Sequence, residues 1–410
     1  MAVDNTLSKY GTTFPRGFEE GRVHFPMERA GELVSLNYGK SLVERTRSPG
    51  SVPVYGTNGR CGWNGQALRE GPTVVLGRKG MGPLGVEWCN GPFWVIDTAY
   101  YVTKNRPDLD LKFFYYLIKY IGLNHLKDGT SNPSLSRDTF SSQLLPLPTN
   151  REQQQIAGIL GSLDDKIDLN RRMNETLEAM ARAIFKSWFV DFDPVRAKME
   201  GRQPVGIDAE TAHLFPESFE ESLLGLIPSG WRPCSWGDVI TLEYGKSLRG
   251  YEKVQGDYTV FGTNGAIGRN DEALCQHPGI IVGRKGAYRG VHFHDEPFFV
   301  IDTAYYVEPK KPLELRWAYY QMLREDINGM DSGSAIPSTS RDQFYKVGLT
   351  YPPFPIQRRF VELLSPLWFR QRLSSQESFT LSAVRDVLLP KLLSGEIRVE
   401  HAERMIEGGM

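Results

Sequence analysis

Residues 95–102 and residues 300–307 have the same sequence, Val-Ile-Asp-Thr-Ala-Tyr-Tyr-Val. Four further pairs of blocks recur around them in the same order: 36–42 with 242–248, 54–59 with 260–265, 74–80 with 280–286, and 133–138 with 337–342. Matched blocks in one order cannot arise by chance, and a repeat of this length constrains the fold more than any local pattern does. The chain is therefore an internal duplication of one unit.

The composition limits the class of protein. At 410 residues, with 40% hydrophobic and 11% aromatic residues, the chain is expected to form more than one globular domain. The polar N-terminus is not a signal peptide and no apolar run is long enough to span a membrane, so no membrane association is expected. Four cysteines do not make a disulfide framework in a chain of this size, which predicts a reduced, cytoplasmic protein. The net charge of −1 means that any surface for nucleic acid must be local.

Each copy begins with a β-rich region and ends in a helical region. Residues 24–150 and 228–355 are rich in Gly, Pro and short β-branched or aromatic runs, which is typical of mainly β domains. Residues 111–121 and 313–323 are predicted to be helical. The expected fold class is α+β, with two mainly β domains that are each followed by a long helix.

A heptad pattern of apolar residues begins after Pro148 and returns after the second β domain. The predicted seam residues are Ile156, Leu160, Leu163, Ile167, Leu177, Ile184 and Trp188 in the first helix, and Phe360, Leu364, Leu367, Leu381 and Leu388 in the second. Two helices with similar seams are expected to pair as an antiparallel coiled coil, with Asn170 and Asn174 setting the register. Pro366 is expected to end or kink the first turns of the second helix. Two independent helical linkers are the alternative.

The sequence predicts neither a catalytic constellation nor a metal site. The two Gly-Lys-Ser sequences lack the glycine that a phosphate loop needs five residues earlier, where Val34 and Ile240 stand. A glycine-rich fingerprint for a methyl-donor nucleotide is also missing from the sequence. His292 and His294 are spaced as ligands on a strand can be, but no ligand cluster at zinc spacing accompanies them.

The repeated polar blocks are better suited to binding DNA. The candidate DNA-binding residues are Lys40, Ser41, Thr57, Asn58, Arg78, Lys79, Ser136 and Arg137 in the first copy, and Lys246, Ser247, Thr263, Asn264, Arg284, Lys285, Ser340 and Arg341 in the second. In Gly-Arg-Lys-Gly, arginine can fork onto guanine, lysine can meet guanine or phosphate, and the glycines permit close backbone approach. A solvated basic hairpin tip is the alternative for this block.

The other repeated blocks also have structural alternatives. Gly-Thr-Asn-Gly contains the Asn-Gly hairpin signal and favours a turn over a DNA contact. Tyr-Gly-Lys-Ser-Leu brings a lysine and a hydroxyl to phosphate or is only a turn. Ser-Arg-Asp is either a phosphate-facing loop or the N-cap of a helix. The blocks at 95–102 and 300–307 are expected to be core strands whose aspartate holds a loop.

Together these residues resemble the DNA-specificity subunit of type I restriction–modification systems. The resemblance is carried by the Asp-Thr-Ala-Tyr-Tyr strands, the Pro-Ser-x-Ser-Arg-Asp blocks, the glutamine-containing helix starts at 151–157 and 355–359, the segment ends at 189–194 and 389–397, and Ile-Pro-Ser-Gly-Trp at 227–231. It extends over residues 24–398. His-Phe-Pro-Met at 24–27 departs from the opening that such a domain usually has.

The resemblance implies two target-recognition domains, each reading one half of a split site in double-stranded DNA. The helices would be spacer regions that dock two copies of an adenine-methylating modification subunit, and restriction subunits would join for ATP-driven cleavage. S-adenosylmethionine, ATP and Mg would bind those partners, while this chain would hold no cofactor and catalyse no step. The implied segments are an N-terminal extension (1–23), target-recognition domain 1 (24–150), a central helical spacer (151–190), a connecting segment (191–227), target-recognition domain 2 (228–355), a C-terminal helical spacer (356–398) and a tail (399–410).

Two other functions stay open at this point. One is a fused restriction–methylation enzyme with its own catalysis, and the other is a two-domain coiled-coil scaffold that binds proteins rather than DNA. If the domains do read DNA and are related by a two-fold axis, they would meet half-sites in inverted orientation. The likeness of the repeated loops then predicts an interrupted, near-palindromic target, with differences in specificity mapping to residues 105–130 and 309–331.

Overall fold

The computed structural model describes residues 17–18, 23–331, 333, 337–402 and 404. The predicted N-terminal extension (1–23) and tail (399–410) therefore lie in large part outside the described residues. The chain divides into two compact units, Met1–Arg172 with Ser374–Met410 (unit 1) and Met173–Leu373 (unit 2). Each unit contains one copy of the repeated β domain and a part of each long helix.

The first copy is a mixed domain whose strands are short and whose helices lie at the sheet faces and edges. In chain order its elements are β1 (Met27–Arg29), α1 (Ala30–Leu33), β2 (Val34–Tyr38), β3 (Val52–Gly56), β4 (Gly59–Asn64), β5 (Thr73–Gly77), β6 (Val86–Cys89), β7 (Trp94–Val95), β8 (Ala99–Lys104), α2 (Leu111–Ile121), β9 (Lys127–Asp128), β10 (Ser134–Leu135), α3 (Arg137–Ser141), β11 (Leu144–Pro146) and the long helix α4 (Asn150–Phe189), with short 3-10 helices at Glu44–Thr46 and Asn124–Leu126. Helix α2 has the bounds predicted from the sequence.

Two sheets form the body of the first copy. The larger has the order β2-β8-β5-β6 and is antiparallel throughout, and the smaller has the order β4-β3-β7. Every residue of β5 is buried, as expected for a β-branched run covered on both faces. Strand β8 carries the Ala-Tyr-Tyr-Val part of the repeated block and is the predicted core strand. It pairs with β2 so that Tyr100 lies opposite Tyr38.

The second copy repeats this topology after a connecting segment that has structure of its own. The elements that follow are α5 (Asp193–Met199), α6 (Ala209–His213), β12 (Phe219–Ser222), β13 (Gly225–Pro228), β14 (Arg232–Ser235), α7 (Trp236–Val239), β15 (Ile240–Tyr244), β16 (Tyr258–Gly262), β17 (Gly265–Asn270), β18 (Gly279–Gly283), β19 (Val291–His294), β20 (Phe298–Val300), β21 (Ala304–Pro309), α8 (Leu315–Met322), α9 (Arg341–Lys346), β22 (Gly348–Tyr351) and the long helix α10 (Phe354–Ser394). Its sheets have the orders β15-β21-β18-β19 and β17-β16-β20, and Tyr305 lies opposite Tyr244.

Helices α4 and α10 pack against each other in an antiparallel sense within each unit. In unit 1, Asp164 forms a 2.7 Å ion pair with Arg385, and the Asn170 amide donates to Glu377 at 2.8 Å. Later residues of α4 thus meet earlier residues of α10. Unit 2 shows the same sense, because Gln371 donates to the carbonyl oxygen of Asn174 at 3.1 Å while Phe185, later in α4, contacts Phe360, earlier in α10. The antiparallel pairing predicted from the two seams is confirmed.

The predicted seam residues supply much of the helix packing. Eight of them are buried, namely Ile156, Leu160, Leu163, Trp188, Phe360, Leu364, Leu381 and Leu388, while Ile167, Leu177, Ile184 and Leu367 are half-buried. Phe185 and Phe189 are also buried and contact the Phe360 ring, although neither is a predicted seam position. Asn170 is fully buried, which fits a polar residue that sets register.

Of the two effects expected of Pro366, an end or a kink in the first turns of the second helix, the end does not occur. Helix α10 is continuous from Phe354 to Ser394. An internal proline costs about 3 kcal/mol, since it removes one backbone hydrogen bond and crowds the preceding turn. Phe360, Leu364 and Trp368 flank Pro366 and are each at most 7% exposed. Burial of side chains of this size stabilises by about 1.5–3 kcal/mol each, so tertiary packing outweighs the local cost.

Two further properties of the described residues bear on function. Their helices are all too polar or too short to cross a lipid bilayer. The four cysteines, Cys61, Cys89, Cys234 and Cys275, are free thiols, as expected for a chain without a disulfide framework.

Candidate nucleic-acid interface

An exposed tyrosine lies between two arginines at one edge of the larger sheet in the first copy. Tyr38 ends β2 and is 49% exposed. The guanidinium carbon of Arg78, which follows β5, lies 4.7 Å from the centre of the Tyr38 ring, and that of Arg137, the first residue of α3, lies 4.8 Å from it. Three segments far apart in the sequence thus place two cations on one aromatic ring.

The second copy has the same arrangement with equivalent residues. Tyr244 ends β15 and is 44% exposed. The guanidinium carbons of Arg284 and Arg341 lie 4.7 Å and 4.2 Å from the centre of its ring. We call Tyr38 with its two arginines, and Tyr244 with its two, the arginine–tyrosine clusters.

The aspartate of the repeated core block holds the Gly-Arg-Lys-Gly loop beneath each cluster. In the first copy, Arg78 Nη1 donates to the carbonyl oxygen of Asp97 at 3.0 Å, and Lys79 Nζ lies 3.2 Å from the Asp97 carboxylate. The second copy has Arg284 on the Asp302 carbonyl at 2.9 Å and Lys285 on its carboxylate at 3.2 Å. The predicted role of the aspartate is confirmed.

A buried tyrosine lies under each exposed one and ties the cluster to the next loop. The Tyr100 hydroxyl donates to the carbonyl oxygen of Leu135 at 3.0 Å, and the Tyr305 hydroxyl donates to that of Thr339 at 3.3 Å. Burial raises the pKa of both Tyr100 and Tyr305, so each hydroxyl keeps its proton and remains a donor. The underlying rings therefore fix the position of the segment that carries the second arginine.

The Tyr-Gly-Lys-Ser segments present their lysines to solvent. Lys40 is exposed, and its backbone N–H donates to the carbonyl oxygen of Val95 at 2.8 Å. A side chain at Gly39 would place its Cβ only 2.1 Å from the Ile96 carbonyl oxygen, which explains the glycine before the lysine. Lys246 is exposed in the same way in the second copy.

The two candidate threonines have structural roles. The Thr57 hydroxyl donates to the Lys79 carbonyl oxygen at 2.8 Å, and the Thr263 hydroxyl donates to that of Lys285 at 2.6 Å. The turn interpretation of Gly-Thr-Asn-Gly is confirmed, since each block connects two antiparallel strands and leaves Asn58 and Asn264 exposed at the tip.

The two serines of the Ser-Arg-Asp blocks cap helices. The Ser136 hydroxyl accepts from the Thr139 backbone N–H at 3.0 Å, and the Ser340 hydroxyl accepts from that of Gln343 at 3.3 Å. The N-cap alternative is thus the one that the structure shows. Ser41 and Ser247 are exposed next to the two lysines.

The Gly-Arg-Lys-Gly loop, which carries Arg78 in the first copy and Arg284 in the second, is supported by different side chains in the two copies. In the first, Lys127 Nζ donates to the carbonyl oxygens of Gly80 and Gly82 at 3.2 Å and 3.0 Å. In the second, the buried Arg289 donates to the Gly286 carbonyl oxygen at 2.8 Å. The chain positions of these two cations differ, so the duplicated loop is held by side chains that are not themselves duplicated.

That differences in specificity map to residues 105–130 and 309–331 stays a prediction. Helix α2 fills the middle of the first segment, and seven of its residues are buried in the core, so only the rest of that segment is open to a ligand. Met81 and Tyr288, which follow the two Gly-Arg-Lys-Gly loops and differ from their counterparts in the other copy, are 74% and 80% exposed.

Sequence reasoning missed the tyrosine at the centre of each cluster, although it lies inside the repeated Tyr-Gly-Lys-Ser block. It also missed the group of potential metal ligands formed by Cys275, His277 and Glu308. Glu308 comes from a strand 31 residues after His277, so spacing along the chain gave no signal.

Comparison with known proteins identifies the family. The family model described as the type I restriction modification DNA specificity domain matches residues 27–179 and again residues 228–377. The chain is 26% identical over 317 residues to the type I restriction enzyme MjaIX specificity subunit of Methanocaldococcus jannaschii, covering 70% of this chain and 69% of that one. It is 25% identical over 373 residues to the HindI specificity subunit of Haemophilus influenzae, covering 74% and 81%.

A solved structure supports the same fold. The crystal structure of the type I restriction–modification system S subunit from M. genitalium superposes with a TM-score of 0.61, covering 93% of this chain and 99% of that one at 18% identity. The two family matches together span well over half of the chain and coincide with the two copies of the duplicated unit. This chain therefore belongs to the family of type I restriction–modification DNA-specificity subunits.

Proposed function

We propose that this chain reads a bipartite site in double-stranded DNA and docks the modification and restriction subunits of a type I complex, while catalysing no step itself. The observation that carries this proposal is the duplication of the arginine–tyrosine cluster, with the same residue types at similar distances in both copies. Packing of the hydrophobic core does not require two arginines on a solvent-exposed tyrosine, so core packing does not explain why the cluster is present. We retain residues 24–150 and 228–355 as the target-recognition domains.

The chemistry of each cluster suits DNA. A guanidinium has five N–H donors, so Arg78 can contact the Asp97 carbonyl oxygen and still present donors to guanine O6 and N7 or to a phosphate. Lys79 neutralises the Asp97 carboxylate, which leaves Arg78, Arg137 and Lys40 as a local excess of positive charge. A local excess of this kind accommodates DNA binding in a chain whose net charge is −1.

The proposed contacts follow from exposure and position. Arginines that stack on the exposed tyrosines are assigned to base edges, and the exposed lysines with their neighbouring serines are assigned to phosphates, because base contacts specify sequence and phosphate contacts fix the orientation of the protein. The threonines that hold the loops and the serines that cap helices would position these groups rather than touch DNA.

The first experiment is methylome sequencing of genomic DNA from cells that contain this chain together with its modification subunit. We expect methylated adenines in two half-sites of similar sequence in inverted orientation, separated by a spacer, because the two clusters present nearly the same groups. Two unrelated half-sites would contradict the near-palindromic target, and the absence of any site that depends on this chain would favour a protein-binding scaffold.

Exposed apolar side chains on the helices support partner docking. On α10, Phe379 is 79% exposed and Val387 is 53% exposed, and on α4 Leu169 is 51% exposed. Large apolar side chains exposed on a long helix are candidates for a surface that a partner covers. We propose that two modification subunits, which would bind S-adenosylmethionine, cover this helical region, and that the restriction subunits bring ATP and Mg to the complex.

Replacing Phe379 with serine is expected to weaken binding of the modification subunit. Burial of a phenylalanine at an interface contributes about 1.5–3 kcal/mol, which corresponds to an affinity about 10-fold to 150-fold lower in the variant. Titration of labelled modification subunit measures the change. Gln376→Ser, at another exposed position of the same helix, is the matched control and should bind the modification subunit normally. Equal affinities for the two variants would show that Phe379 lies outside the docking surface.

A further inference from the structure

Three potential metal ligands meet in the second copy of the β domain. Cys275 and His277 belong to the segment between β17 and β18, and Glu308 belongs to β21. The thiol sulfur, one imidazole nitrogen and a carboxylate oxygen all lie within 4.8 Å of one another. We propose that Cys275, His277 and Glu308 bind a zinc ion.

The distances between these atoms suit a shared tetrahedral ion. His277 Nε2 lies 3.7 Å from Cys275 Sγ and 3.3 Å from Glu308 Oε1. Zinc holds sulfur at about 2.3 Å and nitrogen or oxygen at about 2.0–2.1 Å, so tetrahedral neighbours lie about 3.6 Å apart for sulfur and nitrogen and about 3.3 Å apart for nitrogen and oxygen. Both distances are those of neighbouring ligands of one ion. His277 Nδ1 is equally close to the sulfur, at 3.6 Å, so the imidazole ring must turn for Nε2 and the sulfur to share the ion.

The other ring nitrogen of His277 indicates which atom faces the ion. Nδ1 lies 2.8 Å from the carbonyl oxygen of Pro278, to which it can donate. A carbonyl that accepts from the distal nitrogen is a common outer partner of a zinc-bound histidine, because it fixes the tautomer and orients the ring. With the proton on Nδ1, the lone pair of His277 Nε2 is available to a cation beside the Glu308 carboxylate.

The fold holds the ligands and leaves one side accessible. The Cys275 side chain is buried, and its backbone is held by reciprocal hydrogen bonds with Phe298 at 2.9 Å and 3.0 Å. His277 and Glu308 are half-exposed, and His277 lines a cavity of about 720 Å³. A water molecule in this cavity can serve as the fourth ligand.

The first copy does not have this ligand set. The residue equivalent to Cys275 is Arg69, which makes the matching backbone bond to Phe93 at 3.2 Å. Gly71 and Thr103 stand where the second copy has His277 and Glu308. The proposed zinc site is therefore particular to the second copy, whereas the arginine–tyrosine clusters occur in both.

The test is titration of the full chain with Zn²⁺ in competition with a chromophoric chelator, followed by substitution with Co²⁺. We expect one tight equivalent of Zn²⁺, and with Co²⁺ a thiolate charge-transfer band together with the visible bands of a tetrahedral site. Loss of an outer partner weakens zinc binding by about 10–100-fold, so Cys275→Ser, which removes a direct ligand, should weaken it by more than about 100-fold and abolish the thiolate band.

Two further variants make the test decisive. Cys61→Ser removes an exposed thiol in the first copy and should leave zinc affinity and the cobalt spectrum unchanged. Glu308→Gln, at a half-exposed position that tolerates change, should weaken zinc binding and keep the thiolate band, and it replaces Cys275→Ser as the test if that variant melts early. Absence of tight zinc binding, or equal zinc affinity in the Glu308→Gln variant and the unmodified chain, would overturn the proposal in favour of a simple ion pair between His277 and Glu308.

Discussion

The Arg78→Ala, Arg284→Ala double variant is expected to bind its DNA site far more weakly than the unmodified chain. An arginine that forks onto guanine contributes about 1–3 kcal/mol of discrimination, so removal of one in each half-site should cost about 2–6 kcal/mol. This corresponds to an affinity lower by about 30-fold to more than about 10⁴-fold. Fluorescence anisotropy with a duplex that contains the methylated site, at one fixed salt concentration, measures the loss.

Two comparisons separate base reading from general charge. Arg78→Lys with Arg284→Lys keeps both charges but loses the planar fork, and should recover non-specific binding while sequence preference stays low. Lys40→Ala with Lys246→Ala should weaken binding to all sequences alike and reduce the salt slope by about 1 for each lysine. Because Arg78 also contacts the Asp97 carbonyl oxygen, a thermal melt accompanies each titration. An arginine variant that is folded and binds its site normally would remove the clusters from the proposed interface.

Replacing Phe360 with alanine is expected to destabilise unit 2 by about 3–5 kcal/mol, the range for buried phenylalanine to alanine changes. Phe360 is fully buried, and its ring meets those of Phe185, Phe189 and Trp368 at centroid distances of 5.8, 5.2 and 6.2 Å. The change therefore opens a cavity where α4, α10 and the β domain of this unit meet. Urea unfolding followed by tryptophan fluorescence measures the effect.

Phe379→Ala on the same helix is the matched control for stability. Its side chain is 79% exposed, so the free energy of unfolding should change by no more than about 0.5 kcal/mol. A cost below about 1 kcal/mol for Phe360→Ala would mean that the aromatic cluster can collapse around the missing ring. It would also weaken the view that this packing keeps α10 continuous through Pro366.

Part of the fold could be predicted because it depends on contacts between residues close in sequence. The helical pattern at 111–121 matches α2, and the apolar run in the third repeated block matches the buried strand β5. In both segments, neighbouring side chains reveal the period of the backbone. Pro366 shows the limit of such reasoning, because the local preference there is overridden by side chains that α10 buries against other elements.

The candidate interface could be predicted only as a set of residues. The repeated blocks contain Arg78, Arg137 and the exposed lysines, but nothing in their spacing shows that the two arginines lie on one tyrosine ring. The register of β2 against β8 places Tyr38. The hydrogen bond from Tyr100 to the segment just before α3 places the helix that carries Arg137. The repeated serines and threonines carry no sign in the sequence that separates a cap or a loop clamp from a DNA contact.

The duplication, the mainly β character of each copy and the heptad seams follow from the amino-acid sequence alone, because repeats and periodic patterns express local chemistry along the chain. Tertiary structure alone decided which side chains meet. It brought Tyr38 between two arginines and buried seven residues of α2 in the core. It also joined Glu308 to Cys275 and His277. These contacts link residues that are distant in the chain, so they depend on strand register and packing, which a single sequence does not display.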